Sequence, residues 1–202
     1  GHNKIKMDEL RAMCASLSFE CAHTYVQSGN IVVRTKERNL PSIAKRLKDT
    51  IEGKLGFRPG VILRTTSEMK DVIARNPFVG RDEIEPGKLV ITFLGSSPDS
   101  GMREAVLALT KATGSKTSLS AKNAKKMQRM QRTSTGEELW MNGRELSVYF
   151  PDGMGRSKLV PQLERALKKS GTGRNWNTVT KLLEMAKTME QGTPGFIFPN
   201  RP

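Results

Sequence analysis

The stretch Glu137–Leu159, EELWMNGRELSVYFPDGMGRSKL, decides the fold. Two strand-like runs, Glu137–Met141 and Arg144–Phe150, flank Asn142-Gly143, the dipeptide best suited to a two-residue hairpin. A Gly-rich loop follows at once, and then a helical run from Ser157 to Lys169. Upstream, Lys88–Leu94 reads as a strongly apolar strand. Pro98-Asp99 leads from it into a helix over Ser100–Ala112. Strand, helix, hairpin and helix therefore follow one another, and a last helix is expected from Trp176 to about Met189.

The same order recurs nearer the start. Lys6–Phe19 has apolar residues at helical spacing, and Ala22–Val26 and Ile31–Arg34 form a hairpin around Gln27-Ser28-Gly29-Asn30. Asn39 is placed to cap a helix with Pro41 in its first turn. Ile43, Leu47, Ile51 and Leu55 form its buried face, and Gly56 ends it. Val61–Arg64 is a short strand, after which Thr66 or Ser67 caps a helix that runs to Ala74 and breaks before Asn76-Pro77-Phe78.

A helix–hairpin–helix unit with a strand at either end is the split βαβ, or ferredoxin-like, arrangement. The expected fold class is α+β, with two ferredoxin-like halves, residues 1–80 and 88–189, divided near residues 79–87. A basic insertion at 113–136 interrupts the second half, and the Gly- and Pro-containing tail 190–202 is expected to be loose. The second half has its opening strand, whereas the first begins directly at a helix. In this topology the opening strand lies inside the sheet, so a strand is expected ahead of Gly1.

At 202 residues the chain is long enough to bury a real core. No run approaches the 18 or more apolar residues of a membrane span, and two cysteines are too few for a disulfide scaffold. A reducing cytoplasm is the natural setting. Cys14 falls on the apolar stripe Met7, Leu10, Cys14, Leu17 and reads as a core thiol.

The net charge is +14. Half of it comes from Lys111, Lys116, Lys122, Lys125, Lys126, Arg129 and Arg132, in a segment without one acid. Such charge attracts polyanions by counterion release, or simply keeps the surface solvated. Ser120–Gln131 is a candidate basic helix for nucleic acid or an anionic surface. Only 5% of the residues are aromatic, which argues against a single-strand binder with stacking platforms.

Five blocks in order resemble a large, mainly bacterial family, domain of unknown function 1697. They are NKIKMDEL (Asn3–Leu10), TYVQSGNIV (Thr24–Val32), RTTSEMKDVIARNPF (Arg64–Phe78), PDGMGRSKL (Pro151–Leu159) and TGRNWNTVTKLLE (Thr172–Glu184). The resemblance covers residues 1–189 and implies a duplicated ferredoxin-like α+β fold. It implies no activity, so it supplies no catalytic residues. The family typically opens with a short apolar strand and a Gly-rich turn, of which this chain has the last Gly. The stretch Thr113–Arg132 is longer and more cationic than the family leads one to expect.

In the Pro151 block, Gly153 and Gly155 permit unusual backbone, Ser157 is placed as an N-cap, and Arg156 and Lys158 flank the helix start. That is a candidate site for phosphate or carboxylate; equally, the glycines only turn the chain and Arg156 pairs with an acid. In the Thr172 block Gly171 reads as a helix end, Asn175 or Asn177 as the next cap, and Trp176, Val179, Leu183 and Ala186 as a buried stripe. Arg174 and Asn175 are candidate anion contacts. Arg156 and Arg174 lie at opposite ends of the intervening helix if the chain runs straight, so they cannot grip one small anion.

His2 and His23 have no metal-ligand spacing, and neither a metal nor a cofactor is expected. No GxSxG, HExxH or CxxC occurs. Asp152 is the one carboxylate placed for catalysis. The expected role is binding of an anionic partner, nucleic acid or a phosphorylated metabolite, through Arg156, Ser157, Lys158, Arg174 and Asn175. Lys122, Lys125, Lys126 and Arg129 would add non-specific attraction. The competing role is an enzyme acting on a small anionic substrate, with Asp152 and Arg156 in its site.

Overall fold

The computed structural model describes residues 5–26, 29–111, 130–168, 170–189 and 193–199. The protein is α+β, with two antiparallel sheets and interleaved helices. It divides into two compact units: Gly1–Asp71 with Val179–Pro202, and Val72–Thr178.

In the first unit, α1 (Met7–Ser16) buries Leu10, Met13 and Cys14 at its helical spacing. The hairpin β1 (Cys21–Tyr25) and β2 (Asn30–Thr35) follows, then α2 (Leu40–Leu55). Asn39 caps α2 by accepting from Ser42 N at 3.1 Å, and Gly56 ends it at φ 72°, a left-handed conformation that glycine adopts without strain. Ile43, Leu47 and Ile51 are its buried face, with Leu55 partly buried beside them. β3 (Val61–Thr65) leads into α3 (Thr66–Arg75). The cap of α3 is one residue earlier than expected. Thr65 Oγ1 accepts from Glu68 N at 3.1 Å while Thr65 N donates to Glu68 at 2.7 Å, a reciprocal capping box.

The segment expected to be a loose tail contains a strand, β9 (Thr193–Pro199). It lies between β2 and β3, antiparallel to both, giving the order β1-β2-β9-β3. The place where sequence reasoning puts an opening strand is thus filled from the far end of the chain. Backbone pairing explains this: each flanking strand has a row of N–H and C=O groups that need partners.

In the second unit the order is β5-β6-β7-β4-β8. β4 (Leu89–Leu94) is central, and α4 (Ser100–Lys111) follows, capped by Asp99, which accepts from Met102 N at 2.6 Å. β5 (Met130–Arg132) is a short edge strand, so the basic helix expected over Ser120–Gln131 does not reach its last two residues. The rest of that segment lies outside the described residues.

The hairpin β6 (Glu138–Asn142) and β7 (Glu145–Tyr149) pairs Asn142 with Glu145, which moves its turn one residue later, to Gly143-Arg144. Gly143 takes φ 56° there. A helix, α5 (Leu159–Ala166), follows and packs against α4.

A strand absent from the sequence reading, β8 (Gly171–Asn175), then pairs with β4. Gly171 therefore opens a strand and does not close a helix. A Cβ at Gly171 would sit 2.6 Å from Thr92 Cγ2 and 3.1 Å from Phe93 O, so only glycine fits against β4. The last helix, α6 (Trp176–Thr188), is capped by Asn175, which accepts from Thr178 N at 2.9 Å. It buries Val179, Leu182, Leu183 and Ala186. Trp176, expected on that stripe, is half-buried.

Candidate functional site

The block Pro151–Lys158 lies between β7 and α5. Gly153 turns the chain at φ 85°, and Met154–Arg156 forms a single 3-10 turn. A cleft of about 190 Å³ opens beside this loop, with Glu137, Asp152, Arg156, Ser157 and Lys158 in its wall.

Glu137 is the residue that sequence reasoning missed. It is 5% exposed and stands at the end of a tight turn, Thr133–Glu137, closed by Thr133 N donating to Glu137 O at 2.8 Å. Gly136 in that turn takes φ 88°. Ser157 donates to the Glu137 carboxylate at 2.6 Å, and the Thr133 and Thr135 hydroxyls donate to it as well. Burial alone would raise its pKa. The bonds from Ser157, Thr133, Thr135 and its own backbone together outweigh burial and hold the carboxyl below its ordinary range. At neutral pH it is therefore ionised and cannot act as a general acid. The alternation Thr133, Thr135, Glu137 around Gly136 is the only signal of this site in the sequence.

Ser157, expected as the N-cap, stands one residue before it: α5 begins at Leu159 with Lys158 in the cap position and no side-chain cap bond, and Ser157 Oγ accepts from Leu159 N at 3.1 Å from the turn ahead of the helix. Its hydrogen, however, goes to Glu137. The helix start thus already faces a carboxylate of the protein itself, and Asp152 adds a second carboxylate to the same cleft. Arg156 and Lys158 are exposed at this cleft. The lining carries both signs of charge, which suits a ligand with both better than a bare polyanion.

Arg174 and Asn175 do not line the cleft. Arg174 is 8% exposed on β8, and its guanidinium donates back to Thr172 Oγ1 at 2.5 Å and Gly173 O at 2.8 Å. The side-chain oxygen of Asn175 serves the cap of α6. Arg156, Ser157 and Lys158 are therefore together, and Arg174 and Asn175 are elsewhere in the unit. Lys122, Lys125, Lys126 and Arg129 lie outside the described residues.

The Asn76–Phe78 block is held by packing. Asn76, 1% exposed, donates to Ser147 at 3.1 Å and accepts from Phe78 N at 3.0 Å. Arg81 clasps Glu138 with two bonds of 2.6 and 3.2 Å, and Arg132 reaches the same carboxylate at 2.8 Å. Tyr149 donates to Glu83 O at 3.1 Å. These bonds fasten the segment after α3 onto β6 and β7. Among the described residues no cluster of three or more metal-ligating side chains occurs, and no helix is long and apolar enough to cross a membrane.

No curated protein and no solved structure matches the chain. A sequence family described as "Protein of unknown function (DUF1697)" matches residues 1–125, which takes in the Asn3, Thr24 and Arg64 blocks. The Pro151 and Thr172 blocks lie beyond the match. With more than half of its length covered, the chain belongs to the DUF1697 family.

Proposed function

We propose that this protein is a cytoplasmic binding module for an anionic partner, with nucleic acid the first candidate and a phosphorylated metabolite the second. One observation carries the reading: a net charge of +14, half of it gathered in the acid-free stretch from Lys111 to Arg132. Arg156 and Lys158, exposed beside a cleft that also holds Glu137 and Asp152, are contacts for the second candidate, a small ligand that carries positive as well as negative charge, and not for a polyanion. Ser157, Arg174 and Asn175 act mainly by positioning, since each already serves a bond within the chain. The scaffold is two ferredoxin-like halves, Gly1–Asp71 with Val179–Pro202 and Val72–Thr178, in place of the expected 1–80 and 88–189; β9 completes the first, and the basic insertion at 113–136 falls in the second. The matching orders β1-β2-β9-β3 and β6-β7-β4-β8 support that classification.

Titration with labelled RNA and DNA duplexes at two salt concentrations tests the reading. Affinity should fall steeply as salt rises. Changing Lys122, Lys125, Lys126 and Arg129 to Gln should lower the logarithmic salt slope by about 3–4 for a duplex. Absence of binding even at low salt removes it. A second reading, an enzyme acting on a small anionic substrate, is favoured by Asp152 and Arg156 sharing one cleft. It requires turnover that Asp152→Asn abolishes while the fold persists.

A further inference from the structure

Glu137, Asp152, Arg156 and Lys158 line one cleft, and among the described residues none of them forms an ion pair. Neighbouring charges elsewhere in the same unit do pair, as Arg81 does with Glu138 at 2.6 Å. Lys88, whose ammonium lies within reach of the Asp152 field, is bonded to Glu85 at 2.7 Å. Two negative and two positive groups therefore share one concave surface without neutralising one another by contact.

Glu137 has the greatest need of a partner. It is 5% exposed, yet every group that donates to its carboxylate is neutral: the hydroxyls of Ser157, Thr133 and Thr135, and its own backbone. Buried charges are ordinarily matched by an opposite charge or by a metal ion. Thr133 and Thr135 both reach Oε2, while Oε1 accepts from no side chain but Ser157 and so has room for a second donor.

The same lining decides between occupants. A metal ion would meet two carboxylates only and be repelled by Arg156 and Lys158. A bare phosphate or carboxylate would face Glu137 and Asp152, with the Ser157 hydroxyl already given to Glu137. The volume, about 190 Å³, is that of about six waters at ~30 Å³ each, too little for a nucleotide and enough for a molecule the size of an amino acid.

We propose that this cleft binds a small zwitterion in which a primary ammonium is joined to one carboxylate or phosphate. The ammonium docks on Glu137 with Asp152 beside it, and Arg156 and Lys158 hold the anionic end through charge-assisted bonds. The inference rests on the small-ligand candidate above and assigns each end of that ligand to its residues.

The test is isothermal titration of the full chain with β-alanine, γ-aminobutyrate and phosphoethanolamine. Ethylamine serves as the amine control, and propionate, butyrate and inorganic phosphate as the matching acid controls. At least one zwitterion should bind at least about tenfold more tightly than ethylamine and than its own acid control. Glu137→Gln should weaken that zwitterion at least about tenfold and leave the acid controls unchanged or tighter. Arg156→Gln combined with Lys158→Gln should weaken zwitterions and acids alike.

Should Glu137→Gln not fold, Asp152→Asn, at an exposed position, takes its place and should weaken the zwitterion without weakening the acids. Zwitterions no tighter than their acid controls overturn the proposal and leave the anion-binding reading standing. Zwitterion affinity equal in the unaltered chain and in the carboxylate variants overturns it as well. Silence of every probe, acids included, overturns it together with the small-ligand candidate, whereas the nucleic-acid candidate is decided by its own titration.

Discussion

Glu137 shows how one side chain can consume a promising site. The Pro151 block has the parts of an anion receptor: glycines, a serine just ahead of a helix and two cations. Its serine hydroxyl is spent on a carboxylate from a turn preceding β6. Because the folded pKa of Glu137 is depressed, the stabilisation is fully present above its unfolded value, about 4.3, and is lost as pH falls through the folded value. Glu137→Gln should therefore lower stability at pH 7 by about 1–3 kcal/mol. Urea melts should show that gap closing below about pH 4; an unchanged gap there would assign the effect to shape instead of charge. Cys14 is the opposite case: burial pushes its thiol up to about 12, and it is 0% exposed. In a Cys21→Ser background, labelling of Cys14 by a maleimide at pH 8 should proceed only at the rate of unfolding.

At the scale of elements, regular apolar spacing made α1, α2 and the β6–β7 hairpin legible in the sequence. β8 was not. Its residues, GTGRN, have no strand character of their own, and the requirement for glycine comes from Thr92 and Phe93 on the neighbouring strand, remote in sequence. Gly171→Ala should cost about 1–3 kcal/mol by overpacking against β4. At Gly173 the nearest atom to an added Cβ is Val90 Cγ1 at 3.3 Å, so Gly173→Ala should cost less in the same thermal melts. Asn175→Ala should cost about 1 kcal/mol through loss of the α6 cap. β9 was hidden for a related reason: tail composition describes local preference, whereas unpaired neighbours decide whether a segment becomes a strand. Glu137 was invisible because its partners Thr133 and Thr135 look like ordinary turn residues until Ser157 arrives beside them.

Over the whole molecule, the likeness between the two sheets extends to single residues. Arg64 on β3 and Arg174 on β8 are both buried, and each donates to the carbonyl of the residue before it, at 2.8 Å in both cases. Thr65 and Asn175, the next residue in each copy, both cap the helix that follows. A repeat of strand, buried arginine, cap and helix is therefore a shared way of fastening a strand to its helix. The excess of positive charge acts on every part at once. Raising salt from about 20 to about 300 mM shortens the screening length from about 20 to about 6 Å and relieves self-repulsion. The melting temperature should rise by about 2–4 °C, equal to roughly 1 kcal/mol. A fall would mean that local ion pairs such as Arg81–Glu138 outweigh the net charge.

The placement of β9 also sets an order of assembly. Residue 35 pairs with residue 193, so the sheet built on β2 and β3 stays two separate pieces until β9 has left the ribosome. Residues 72–178 have every strand of their own sheet earlier. Residues 72–178 can therefore close their sheet first, while the β1–β2 hairpin and β3 each keep one edge of backbone N–H and C=O groups unpaired until β9 arrives.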